Sequence, residues 1–120
     1  MTARTIFLHG EPKSTNHIYR YACRGHFPTM YLTKEGKDIK TAYQWEAKSQ
    51  WRDPALTGDV KLSVRFFFGT KRKADLDNFN KLWQDALTGI VYEDDSQICE
   101  LHLYRDSDKE RPRIEITVLK

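Results

Sequence analysis

The chain has 120 residues, a length that suits one small domain and leaves little room for a second hydrophobic core. It has two cysteines, too few for a disulfide scaffold, and no apolar run near the roughly 20 residues that cross a bilayer. Because no secretion signal opens the chain, we expect a cytoplasmic protein without a membrane partner. Residues 1–52 carry nine lysines and arginines against four acids, and residues 53–120 carry eleven against thirteen. This asymmetry is typical of an enzyme that holds a polyanion and binds cations beside it.

Hydrophobic periodicity predicts an alternation of strands and helices. A short strand is expected over residues 5–9, and a helix from the N-cap Thr33 to about residue 51, where apolar residues recur every four positions. Residues 60–68 alternate apolar and polar side chains, which is the clearest strand pattern in the chain. The remaining expected elements are a helix over 75–88 and two strands, 97–105 and 113–119, joined as a hairpin. These elements predict an α+β fold, a single small domain with a mixed four-stranded sheet and two helices packed on one face.

A long stretch without an apolar repeat, residues 10–32, separates the first expected strand from the first helix. It interleaves cations with aromatic residues: Lys13, Arg20 and Arg24 among Tyr19, Tyr21, Phe27 and Tyr31. One interpretation is a nucleic-acid contact, because cations neutralise phosphates and aromatic rings stack on exposed bases. The other is a loop or hairpin whose tyrosines cover the edge of the core. The pattern does not choose between them.

The most informative residues lie between the strand at 60–68 and the next helix. Lys71, Arg72 and Lys73 form a basic run that we expect to contact a phosphate backbone. Asp75 and Asp77 follow at the junction of strand and helix, where both carboxylates can turn to the same side. The alternative is purely structural: Asp75 caps the helix and Asp77 favours its positive end, each contributing about 0.5–1 kcal/mol.

Two further residues complete a candidate site for phosphodiester hydrolysis. Lys81 lies four positions after Asp77, where its ammonium could hold a phosphate or simply pair with Asp85. Asp95 belongs to an acidic turn just before a strand that returns toward the sheet. Three aspartates suit a hard cation such as Mg²⁺, which takes oxygen ligands and can activate a water molecule. We therefore expect Asp75, Asp77 and Asp95 to lie close together.

The sequence resembles the RusA family of Holliday junction resolvases, found in bacteria and in their phages and prophages. The matching residues are Asp75-Leu-Asp77-Asn78, Lys81, Asp85-Ala86-Leu87 and Asp94-Asp95, with a looser match over residues 11–16. The resemblance implies that Asp75, Asp77 and Asp95 are catalytic carboxylates that bind Mg²⁺, with Mn²⁺ as a substitute. It implies that Lys81 is the catalytic lysine. It also implies DNA contacts within residues 11–24, at Lys13, Asn16, Arg20 and Arg24.

For the assembly, the resemblance implies a homodimer that cuts two opposed strands of a four-way DNA junction. A two-fold dimer has two sites related like the strands of the junction. Trp45 lies off the apolar stripe of its helix and is a candidate for the partner interface, unless it packs beneath residues 10–32. Two other functions remain open: a nucleic-acid-binding module without catalysis, and a nuclease that acts on other branched or flap DNA. A pure binder gains nothing from carboxylates beside its basic strip, because they repel phosphate.

Overall fold

The computed structural model describes residues 3–71, 73 and 75–120. In chain order its elements are β1 (Ala3–His9), α1 (Thr15–Ile18), β2 (Tyr19–Arg24), β3 (Phe27–Leu32), α2 (Lys34–Gln50), β4 (Val60–Phe68), a first 3₁₀ turn (Leu76–Phe79), α3 (Lys81–Leu87), a second 3₁₀ turn (Asp95–Gln97), β5 (Ile98–Ser107) and β6 (Arg113–Leu119). The main sheet has the order β1-β6-β4-β5, and β2 pairs with β3 in a separate two-stranded sheet. Strand β5 runs parallel to β4, whereas the β1–β6 and β4–β6 pairs are antiparallel. The expected α+β fold with a mixed four-stranded sheet is confirmed.

One face of this sheet carries the core, because every second residue of its inner strands is apolar. In β4 the residues at even positions, from Val60 to Phe68, are buried, and those between them are exposed or half-buried. Helix α2 contributes Tyr43 and Ala47 to the same buried cluster, and α3 contributes Trp83 among others. The two longer helices therefore cover one face, as the alternation in residues 60–68 predicts.

Residues 10–32 fold into α1 and the β2–β3 hairpin, and this hairpin is anchored to the start of α2. The Thr33 hydroxyl accepts a hydrogen bond from the Gly36 backbone at 3.1 Å, which confirms Thr33 as the helix cap. Gly36 lies in a tight contact: a Cβ at this position would lie 2.8 Å from the Leu32 side chain and 3.1 Å from that of Ile18. A larger residue would force the Leu32 methyl group and the Ile18 segment to shift, so glycine suits this close approach of hairpin base and helix.

Two expectations about the second half of the chain are wrong. The strands near 97–105 and 113–119 do not form a hairpin, because β4 lies between β5 and β6. Strand β5 is exposed along most of its length and rich in charge, which suits an edge, whereas β6 alternates buried residues and is paired on both sides. The helix expected over 75–88 is split at Asn80 into the first 3₁₀ turn and α3. Within the described residues no helix is long and apolar enough to cross a membrane.

Candidate active site

The candidate site begins where β4 leaves the sheet. A carboxylate oxygen of Glu11 accepts a hydrogen bond from the Gly69 backbone at 2.8 Å, and the Phe68 carbonyl accepts one from the Asp108 backbone at 2.9 Å. These two bonds fix the point from which the basic run departs. Lys71 and Lys73 are exposed beyond this point, and Arg72 lies outside the described residues.

Asp75 and Asp77 occupy the first 3₁₀ turn, and both are exposed. Asp75 is the N-cap of the turn: its Oδ1 accepts a hydrogen bond from the Asp77 backbone at 3.3 Å. The turn is held against the sheet by Phe79, whose ring centroid lies 6.0 Å from that of Phe66 and 5.1 Å from that of Phe68. Asp75 therefore caps the turn, as expected if its role were purely structural. Its carboxylate is nevertheless exposed and accessible to a ligand.

Lys81 is part of a polar network at the start of α3. Its Nζ lies 3.3 Å from Oδ2 of Asp85 and 5.3 Å from the centroid of the Tyr19 ring. The Tyr19 hydroxyl donates to the same Asp85 oxygen at 2.8 Å. Burial, and secondarily the Asp85 carboxylate, raise the pKa of Tyr19 well above its ordinary value, so the phenol stays protonated and remains a donor. The network fixes the Lys81 ammonium on the side of α3 that faces the hairpin base.

Asp95 lies in the second 3₁₀ turn, which is attached to the other end of β4. The Gln97 amide donates to the carbonyls of Leu56 and Gly58, each at 2.8 Å, and so fixes the turn beside the segment that leads into β4. Asp94 is the N-cap of this turn, and hydrogen bonds from the Ser96 side chain and backbone hold the pKa of Asp94 below its usual range. Asp95 itself is exposed.

The three aspartates are not gathered around one point in the single chain. Among the described residues no group of three or more histidine, cysteine or acidic side chains is placed to hold a metal ion. The reason is topological: Val60 pairs with Ile98 and Phe68 with Ser107, so the parallel strands share one direction. Asp75 follows the Phe68 end of β4, and Asp95 precedes Ile98, which lies beside the Val60 end. The crossover from β4 to β5 thus separates the two acidic turns.

The residues expected to bind DNA near the N-terminus differ in whether their side chains already have a partner within the chain. Lys13 lies 3.7 Å from a carboxylate oxygen of Glu35, and Arg20 donates to the carbonyl of Asn16 at 2.8 Å. Asn16 lies in α1 with its side chain exposed. The side chain of Arg24 lies outside the described part of the chain. Lys13 thus has an acidic neighbour, whereas Arg20 uses only its Nη1 within the described residues and keeps its other guanidinium donors for a phosphate.

The aromatic residues of the same segment divide between the two interpretations that the sequence left open. Tyr19 is buried in the core, as expected for a residue that covers its edge. Tyr21 and Phe27 are 75% and 76% exposed on the hairpin, and Tyr31 is 48% exposed. Trp45 is 70% exposed on α2 and so does not pack beneath the hairpin. The hairpin thus presents aromatic surface that the core does not use.

Two residues near the site were missed by sequence reasoning. Glu11 fixes the end of β4, and Arg105 lines a basic cavity with Lys71 and Lys73. Arg105 falls at the end of the strand predicted over 97–105, but its position became informative only once β5 was known to run parallel to β4. The family resemblance includes Glu11 within residues 11–16, but the sequence did not indicate this role, because the partner of Glu11 is a backbone amide 58 residues away.

The sequence of this chain is similar to those of known enzymes that cut DNA. The family model described as endodeoxyribonuclease RusA matches residues 9–119, which identifies the chain as an enzyme of the class that cuts DNA. Curated relatives include the crossover junction endodeoxyribonucleases RusA of Enterobacteria phage 82, Shigella sonnei strain Ss046 and Escherichia coli strain K12. Each is 28% identical over 108 residues, covering 89% of this chain and 87% of the relative. The chain belongs to the RusA family of endodeoxyribonucleases.

Proposed function

We propose that this protein is a Mg²⁺-dependent endodeoxyribonuclease that resolves Holliday junctions by paired cuts during DNA recombination and repair in the cytoplasm. The observation that carries the proposal is the basic run at the exit of β4, followed at once by exposed carboxylates on a turn anchored to the core. The names of the relatives, crossover junction endodeoxyribonucleases, support the four-way junction as substrate. A basic surface beside acids suits a phosphate substrate that approaches a bound cation.

The chemistry of the donors fits a hard divalent cation. Asp75, Asp77 and Asp95 are exposed carboxylates, and we assign them to Mg²⁺ because this ion favours oxygen ligands and retains waters. Mn²⁺ is a reasonable substitute, since it also accepts carboxylate oxygens. When bound, the ion would supply an activated water and offset charge on the phosphate. Lys81 would hold the scissile phosphate or offset the same charge, with Asp85 and Tyr19 orienting its ammonium.

A homodimer accounts for the separation of the acidic turns. We propose that a two-fold partner supplies the third carboxylate, so that Asp75 and Asp77 of one protomer act with Asp95 of the other. The exposed ring of Trp45 supplies apolar surface of the kind that such an interface buries. Two sites related by the two-fold axis then face two strands of the junction, which are related in the same way.

The dimer is tested by light scattering and by mixing inactive variants. The protein at micromolar concentration should have twice the chain mass of 14.2 kDa. Asp75→Asn and Asp95→Asn should each be inactive alone, but mixed dimers should regain one intact site and nick one strand of the junction. A monomer in solution, or a mixture without nicking, would contradict the shared site.

The function is tested with a synthetic four-way junction beside a duplex of matched sequence. The protein should cut the junction in two opposed strands with Mg²⁺ or Mn²⁺, leave the duplex intact, and be inactive in EDTA. Preferential cutting of flap or single-stranded branches would instead assign a nuclease of another substrate range. Binding without cutting under every metal condition would favour the binding module, in which Asp75 serves only as a cap.

A further inference from the structure

An open cavity of about 470 Å³ lies at the end of the edge strand β5, beside the basic run. It is lined by Thr70, Lys71, Lys73, Arg105, Asp106 and Ser107. Arg105 pairs in register with Phe66, whose ring packs under the turn that carries Asp75 and Asp77. Residues at the same level of neighbouring strands point to the same face, so Arg105 lies on the face of the sheet that holds this turn.

The cavity carries uncompensated positive charge. Within the described residues, Lys71, Lys73 and Arg105 take part in no ion pair, whereas the cations on the open face of β4 do: Lys61 lies 2.8 Å from Glu100 and Arg65 lies 3.6 Å from Asp106. The acid of the cavity, Asp106, is therefore already shared with Arg65, and its other oxygen accepts from the Ser107 backbone at 2.8 Å. Asp106 pairs in register with Phe67 and so points to the open face, whereas Arg105 points to the other. At this end of β5, three cations without an ion pair among the described residues form a site for an anion.

We infer that this cavity binds a phosphodiester group of the DNA backbone, with Arg105 as its directional contact and Lys71 and Lys73 as point charges. A guanidinium presents paired N–H donors that match two phosphate oxygens, whereas an ammonium provides charge without a fixed direction. The inference rests on the proposed function and extends it. It assigns to Arg105 the role of positioning the strand so that a neighbouring phosphate reaches the turn of Asp75. Arg105 is a DNA-binding residue in this assignment, and no catalytic step depends on it.

The salt dependence of DNA binding tests the assignment without any cleavage. In EDTA, the dissociation constant for the junction is measured from about 50 to about 200 mM salt, where each phosphate contact contributes about 0.9 to the slope of log K against log salt. Arg105→Gln should lower that slope by about 0.9, and the double variant with Lys71→Gln should lower it by about twice as much. Arg105→Lys should keep the wild-type slope, because the charge remains, but should bind more weakly at every salt concentration.

Arg52→Gln is the matched control. Arg52 is an exposed arginine that follows α2, next to Asp53, whose carboxylate binds Arg4 near the other end of the sheet. The salt slope of Arg52→Gln should equal that of the wild type. Thermal melts should show that Arg105→Gln and Arg52→Gln are both folded.

The outcomes separate this inference from the proposed function. A slope that is unchanged in Arg105→Gln overturns the inference, even if the protein resolves junctions. A slope that falls in Arg105→Gln but not in Arg52→Gln supports it, even if no metal allows cleavage and the nuclease proposal fails. Absence of DNA binding by the wild-type protein overturns both.

Discussion

Replacing Asp75 by asparagine should lower the rate of junction cleavage roughly 1,000-fold while the protein remains folded. The loss follows because a carboxylate ligand of the cation is removed, and metal ions stabilise such transition states by several kcal/mol, with about 1.4 kcal/mol for each factor of ten. Asparagine is as good an N-cap as aspartate, so the bond from Oδ1 to the Asp77 backbone can persist. Single-turnover cleavage with saturating Mg²⁺ measures the rate. The melting temperature in EDTA should not fall, because asparagine preserves the cap and removes one carboxylate charge from the shared site.

Asp94→Asn provides the control for this experiment. Asp94 is also an exposed aspartate that caps a 3₁₀ turn, and asparagine again preserves the cap. It stands next to Asp95 but is engaged by Ser96, so its replacement should change the cleavage rate only a few-fold. A cleavage rate for Asp75→Asn equal to that of the wild type would show that the proposed site is wrong. An equally large loss of cleavage rate in Asp94→Asn would indicate that Asp94, and not Asp95, is the metal ligand in the second turn.

Replacing Phe66 by alanine should lower the free energy of unfolding by about 3–5 kcal/mol, a large share of the roughly 5–15 kcal/mol that stabilises a typical domain. Phe66 is 0% exposed at the centre of the core, and its ring lies 6.2 Å from that of Phe68 and 6.0 Å from that of Phe79. The cavity left by the ring cannot collapse, because β4 is paired on both sides. Urea unfolding followed by circular dichroism gives the change. The same variant should lose junction cleavage in part, since Phe79 holds the turn that carries Asp77.

Phe67→Ala tests whether this effect depends on the face of the strand. Phe67 is the next residue, but it points to the open face, where the Arg113 guanidinium lies 3.8 Å from its ring centroid. The loss there should be about 1 kcal/mol, the scale of an exposed cation–π contact. Equal losses in the two variants would mean that the core does not lie on one face of the sheet.

Local patterns predicted the parts of the fold that depend on neighbouring residues. The alternation over residues 60–68 matches β4, and Thr33 caps α2 with its own hydroxyl. The split at Asn80 escaped prediction because the apolar spacing continues through it. There the Trp83 indole donates to the Asn80 side chain at 3.2 Å while the backbone changes from a 3₁₀ turn to an α-helix.

The choice of strand partners escaped prediction for another reason. The short connection between β5 and β6 favours a hairpin. Instead, β5 and β6 lie on opposite sides of β4, and each pairs with β4. Which strands pair with each other depends on which of them lie inside the sheet with both edges paired, and that is a property of the whole sheet. The crossover from β4 to β5 decides where Asp95 lies, so local patterns could not predict the separation of Asp95 from Asp75.

The position of β6 has a consequence for how the protein is made. Strand β6 is the last of the sheet to leave the ribosome, yet it lies between β1 and β4 and, within the described residues, is the strand that pairs with β1. Until residues 113–119 have emerged, the backbone of β1 can bond to the side chains of Gln50 and Glu46 on α2 but has no partner strand within the described sheet, where β4 then has only β5 beside it. Both unpaired edges face solvent during this interval, and such edges are templates for pairing with other chains. Synthesis in the cell therefore passes through a stage in which the sheet is open at its middle and closes only with its final strand.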